Sequence, residues 1–139
     1  EEKQPSEEST PEVEFNPNLY ATTFLSHKGR VLTDSLLWKT SEEQYYVDCP
    51  SKTGDELLKH LKSHKLRRSK VTISDCPDLE SHVVFGTLAG GKGSPPGYLS
   101  GLDPRHPSLG LRVLKLPESE NSPTPDFGKL MSKVFPECE

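Results

Sequence analysis

Apolar and polar positions are most clearly patterned between Leu19 and Lys39. Two apolar-rich runs, Leu19 to Leu25 and Val31 to Trp38, flank the polar segment Ser26-His27-Lys28-Gly29-Arg30, in which Gly29 can take the positive φ of a tight reversal. The pattern predicts a β-hairpin. After a turn at Thr40 to Glu43, the run Gln44 to Cys49 has the aromatic and β-branched content of a third strand, stopped by Pro50. From about Lys52 to Leu66 the apolar period lengthens, and Leu57, Leu58, Leu61 and the His64 to Leu66 end share one helical face. Thr53-Gly54-Asp55-Glu56 has capping-box spacing, with Ser51 as the alternative cap. Lys70 to Ser74 then reads as a short alternating strand and His82 to Leu88 as a more apolar, central one. Ala89 to Gly101 reads as a Gly/Pro loop, Leu109 to Leu114 as the final strand, and Asp126 to Phe135 as a short helix capped by Asp126.

These elements define an α/β chain of the α+β kind, with a mixed or antiparallel sheet of five or six strands and one main helix packed on it. Tyr45 to Phe85 reads as the β-α-β-β run of split ferredoxin-like modules. Composition divides the chain into an acidic flexible tail (1–18), a core segment (19–116) and a linker with a short helix (117–139). In 139 residues, 31% hydrophobic and with 13 prolines, there is room for one domain with substantial irregular segments. No apolar run approaches the ~18 residues of a membrane span. The first residue is Glu1 and the only methionine is Met131, so the chain reads as a processed or excised piece from which a targeting peptide could have been removed.

The net charge of −4 hides an asymmetry, because residues 1 to 14 hold six glutamates against Lys3, or −5 by themselves. A basic cluster, Lys59, Lys62, Lys65, Arg67, Arg68 and Lys70, surrounds the end of the predicted helix. It is either a solvated set that complements the helix dipole or a contact surface for phosphate or nucleic acid. The three cysteines, Cys49, Cys76 and Cys138, lie far apart with no C-x-x-C spacing, which points to neither a zinc site nor a disulfide framework. His60 and His64 are four apart, but Leu61 stands where the glutamate of an H-E-x-x-H site would be. Gly86 to Gly93 begins like a phosphate-binding loop, yet Gly93 replaces the magnesium-holding Ser or Thr and Pro95-Pro96 prevents the helix that must follow. Asp34 interrupts its strand with a carboxylate. Either alternation turns it to solvent, opposite Leu32, Leu36 and Trp38, or it stands at the rim of a pocket.

The residues around Asp34 carry a resemblance. Lys28-Gly29-Arg30-Val31-Leu32-Thr33-Asp34-Ser35-Leu36-Leu37 resembles the β-hairpin of the aminomethyltransferase-like folate-binding family, which includes the glycine-cleavage T-protein and the mitochondrial iron–sulfur assembly factors related to bacterial YgfZ. The T-protein hairpin carries two aspartates, of which the second falls on Asp34 and the first on Thr33. The assembly-factor pattern, Gly-Arg-(Val/Phe/Leu)-Leu-x-Asp, is the nearer match. His64 to Val71 is similar to that branch's helix end, and Asp103, Arg105, Gly110 and Arg112 fit its Asp-Pro-Arg-x(4)-Gly-x-Arg element. The family's opening Leu-Gln-Gly segment and its Lys-Gly-Cys signature are missing, and Cys138 does not match the latter.

The resemblance implies part of a GcvT/YgfZ-type folate-binding domain over 19–116, in an accessory factor for maturation of 4Fe-4S proteins in the mitochondrial matrix. It implies a tetrahydrofolate-like ligand, with Asp34 contacting the pteridine and Arg112 orienting it, A-type iron–sulfur scaffold proteins as partners, and no metal held by this segment. Neither residue completes a catalytic constellation, so no enzyme is expected. The rival reading is a non-catalytic structural subunit of a large mitochondrial complex, a mitoribosome or respiratory complex, in which Lys62, Lys65, Arg67 and Arg68 meet rRNA or neighbouring subunits. An aminomethyltransferase ranks last, because Thr33 replaces one hairpin aspartate.

Overall fold

The computed structural model describes residues 13–85, 94–118 and 126–134. Expectations for the acidic residues 1–12, for the glycine run 86–93, for 119–125 and for Cys138 lie outside these.

The hairpin forms where the pattern places it. Strands β1 (Leu19–Leu25) and β2 (Val31–Lys39) pair antiparallel around a turn in which Ser26 N–H donates to Arg30 O at 2.8 Å and Gly29 N–H to Ser26 O at 2.9 Å. Gly29 adopts φ +72°. Strand β3 (Tyr45–Asp48) adds to the other side of β2. A 3₁₀ turn, Ser51–Thr53, leads into helix α1 (Gly54–His64). Thr53 precedes α1 without capping it. Its hydroxyl donates to Pro50 O at 3.0 Å and shares a 2.9 Å bond with Thr33 Oγ1, which ties the start of α1 to β2.

Beyond α1 the expected strand at Lys70 to Ser74 does not form: these residues pair with no strand among the described residues, and Val71 is 54% exposed. Strand β4 (Glu80–Val84) begins and ends earlier than expected and lies at an edge. A strand that the Gly/Pro pattern concealed, β5 (Tyr98–Leu102), follows, and after a 3₁₀ turn at Pro107–Leu109 comes β6 (Leu111–Lys115). The single sheet expected from sequence is therefore two three-stranded antiparallel sheets, ordered β1-β2-β3 and β4-β6-β5. Because β3 and β4 belong to different sheets, the ferredoxin-like β-α-β-β pairing is absent among the described residues.

Two apolar faces explain this arrangement. Leu19, Leu36 and Trp38 of the first sheet and Leu114 of the second form one buried cluster, with Tyr46 and Leu99 against it, so the sheets pack face to face. The opposite face of the second sheet, Tyr98, Leu102, Leu111 and Val113, is a second cluster that receives Phe127 and Leu130 of helix α2 (Phe127–Val134). A sheet whose strands are apolar on both sides must be covered on both. Asp126 Oδ1 accepts from Gly128 N–H at 2.9 Å at the start of α2. On the first cluster's face, Gly101 admits the chain before β1: a Cβ there would lie 2.7 Å from Asn16 Cβ, and Asn16 Nδ2 donates to Ser100 O at 2.8 Å.

Candidate functional site

The face that carries Leu36 and Trp38 also carries Asp34, since all three share strand parity. This corrects the expectation that Asp34 lies opposite them. Thr33 and Ser35 occupy the other side of the pleat and are buried. Towards Asp34 the first sheet extends past the apolar cluster, and the space between the sheets opens into a cleft of about 270 Å³ lined by Asp34, Ser35, Asp48, Cys49, Arg105 and Arg112 among others. Arg112 reaches it from β6, whose register with β5 sets Arg112 beside Gly101 and Leu114 beside Leu99 on the face turned to the first sheet.

A charge network organises the cleft floor. Asp103 is fully buried, at 0% exposure, in the turn after β5. Arg105 grips it with both sides of its guanidinium, Nε to Oδ1 at 2.9 Å and Nη2 to Oδ2 at 2.7 Å, while its backbone N–H donates to Oδ1 at 3.0 Å. Arg112 Nε donates to Oδ2 at 2.8 Å. Burial alone would push the Asp103 carboxyl up, but these donors and the guanidinium charge overcome it and hold it at about 2. Pro104 fixes φ between Asp103 and Arg105, so the pair is arranged within a single tight turn.

Arg105 also joins the sheets. Its Nη1 donates to Asp34 Oδ2 at 2.9 Å, so Asp34, Arg105, Asp103 and Arg112 form one chain of alternating charge. The two residues singled out by resemblance, Asp34 and Arg112, thus line the same cleft. Asp34 is exposed, with its Oδ1 facing no protein donor among the described residues, and Arg112 spends only Nε on Asp103. Ser35 is 6% exposed and its Oγ has no partner among the described residues. Cys49 lines the cleft as a thiol, because burial, and then the carboxylate of Asp48, push its pKa up. Asp48 itself accepts from Ser81 Oγ at 2.7 Å, a second bond between the sheets.

Sequence reasoning placed Asp103 and Arg105 in a motif but missed their roles as the buried anchor and the link to Asp34. The available signal was an Asp-Pro-Arg turn followed by a second arginine on a strand. The alternative residues, Lys62, Lys65, Arg67 and Arg68, are all exposed around the end of α1 and line no part of the cleft. The rings of His60 and His64 lie 4.3 Å apart, tilted by 42°, and His64 Nδ1 lies 2.8 Å from His60 O.

An α+β unit whose two sheets enclose a charged, open cleft is the class that fold and site define. No protein-family model matches the chain. The chain is similar to the mitochondrial protein described as iron-sulfur cluster assembly factor IBA57 homolog of Yarrowia lipolytica, with 39% identity over 67 residues. That similarity covers 45% of this chain and 14% of the Yarrowia protein, so the matched stretch spans about one seventh of that protein's length.

Proposed function

We propose that this chain is part of a mitochondrial iron–sulfur cluster assembly factor, acting as a non-catalytic accessory in maturation of 4Fe-4S proteins in the matrix. The observation that carries the reading is the 39% identity with the Yarrowia factor. The cleft is the ligand-binding part of the proposal. Its polar groups suit a heterocycle bearing ring N–H groups in a molecule that also carries a carboxylate, as in tetrahydrofolate. Asp34 Oδ1 is open to accept from ring N–H groups, and Arg112 retains Nη1 and Nη2 for an anion. At about 270 Å³ the cleft admits the heterocycle rather than a whole drug-sized molecule. Bound there, the ligand would supply a folate-type carbon carrier, while the protein holds and orients it. A-type scaffold proteins are the partners that this reading brings with it.

A domain swap tests the assembly role. Residues 19–116 replace the corresponding region of the Yarrowia factor in cells lacking it, and 4Fe-4S enzyme activity is measured in isolated mitochondria. Restored activity is expected. A stable, correctly located chimera that restores none contradicts the proposal.

A further inference from the structure

The basic cluster is untouched by this reading. Between Leu57 and Ser74 the chain holds Lys59, Lys62, Lys65, Arg67, Arg68 and Lys70 and no acidic residue. All six cations are exposed, and none takes part in an ion pair among the described residues. Dipole complementarity accounts for part of them only. The last turn of α1 contains Lys62 and His64, whereas Arg67, Arg68 and Lys70 lie beyond it, where the helix field has faded. Lys59, Lys62 and Lys65 follow one another every third residue, about 4.5 Å apart along the axis. Like charges so close repel unless an opposite charge faces them.

Two apolar side chains stand among these cations. Leu66 is 63% exposed and Val71 54% exposed, while Leu57 is buried and Leu58 and Leu61 are half-buried. The apolar face of α1 is thus already turned to the protein and cannot lie in a bilayer, which leaves too little apolar surface for membrane insertion. From Ser51 to Val84 there is also no Phe, Tyr, Trp, Asn or Gln, and the two rings at the end of α1, His60 and His64, are engaged with each other, so the surface lacks a free aromatic platform and the amide readers of nucleic-acid sites. What remains is two exposed apolar side chains flanked along the chain by exposed cations, a composition that suits a protein-binding surface.

We infer that the end of α1 and the segment after it, from Lys59 to Val71, form a docking surface for a protein partner that presents carboxylates around an apolar contact. Leu66 and Val71 meet the apolar contact, and Lys62, Lys65, Arg67 and Arg68 meet the carboxylates. The cations steer the encounter and the two apolar side chains slow dissociation. This surface does not depend on the iron–sulfur reading, and it lies apart from the cleft.

Fluorescence anisotropy on the full chain tests it with labelled probes: a peptide of repeated Glu-Glu-Leu, a leucine-free glutamate peptide of equal charge, and an oligouridine of equal charge. Vesicles of phosphatidylcholine and cardiolipin are titrated alongside. The Glu-Glu-Leu peptide is expected to bind about tenfold more tightly than the other probes. The Leu66→Ser/Val71→Ser variant should reduce it to the level of the glutamate peptide, and Lys62→Glu/Arg67→Glu/Arg68→Glu should weaken it by more than about tenfold. Circular dichroism verifies that these surface variants remain folded. Equal affinity for the two peptides, tighter binding of the oligouridine or the vesicles, or no binding of any probe overturns the inference.

Discussion

Asp103 shows how a single buried carboxylate organises the site. An unpaired charge at 0% exposure would be prohibitive, and two arginines and a backbone N–H make it tolerable. Removing the charge leaves Arg112 and Arg105 without the counter-ion they share, and Arg105 with only the exposed Asp34. Asp103→Asn is therefore expected to cost about 3 kcal/mol in urea unfolding at neutral pH. Acid sensitivity follows from the same residue. Its carboxyl titrates at about 2 in the folded chain against about 3.9 when unfolded, so the unfolded chain binds the proton first on acidification. The stabilisation is complete above pH ~5 and is lost as pH falls through about 2, amounting to roughly 2–3 kcal/mol. Urea midpoints recorded from pH 5 to pH 2 should fall steeply in the native chain and less steeply in Asp103→Asn. Asp34 is different, because its bond to Arg105 lies at the surface, where an ion pair contributes about 0–1 kcal/mol. Asp34→Ala should leave stability within about 1 kcal/mol, which makes it a clean probe of ligand binding.

At the level of elements, two glycines with positive φ separate conformational strain from crowding. Gly29 at φ +72° has open space where a Cβ would project, whereas at Gly110, φ +87°, a Cβ would lie 2.6 Å from Val84 O. Gly29→Ala is expected to cost about 1 kcal/mol and Gly110→Ala distinctly more, since it also forces β4 away from the turn before β6. Thermal melts of the two variants check the order. The same comparison marks what sequence could tell. Gly29, with apolar runs on either side, announced the hairpin, because turn chemistry and strand pattern agreed. β5 was hidden because Tyr98-Leu99-Ser100-Gly101-Leu102 continues a Gly/Pro-rich stretch, and Gly101 is there for close approach of Asn16, a contact across the fold that no local pattern records. Conversely, Val71 and Ile73 alternate correctly yet form no strand, because alternation without a pairing partner does not make one.

For the whole molecule, the decisive feature is that two sheets face each other. The first brings Asp34, Asp48 and Cys49 to their junction, and the second brings Arg105 and Arg112. A single sheet, as the sequence pattern suggested, would have left these groups with no cleft to share. Parity along β2 places Asp34 with Leu36 and Trp38, contrary to the expectation that it lies opposite them; that this end of the face borders a cleft rather than apolar core depends on Arg105 and Arg112 on the second sheet's side, which no local pattern records. Resemblance selected Asp34 and Arg112 from their motifs, and the fold sets them on one cleft, linked through Arg105 and Asp103. The basic surface at the end of α1 lies outside that network and acts independently, so charge reversal at Lys62, Arg67 and Arg68 should leave ligand binding in the cleft unchanged.

The proposed role of the cleft is to take a tetrahydrofolate-like ligand through Asp34 and Arg112. Calorimetric titration of the chain with tetrahydrofolate, beside folded Asp34→Ala and Arg112→Gln variants, tests it most directly. Saturable binding by the native chain, weakened about tenfold or more in each variant, is the predicted result. No binding by the native chain, or equal binding by all three proteins, would contradict it.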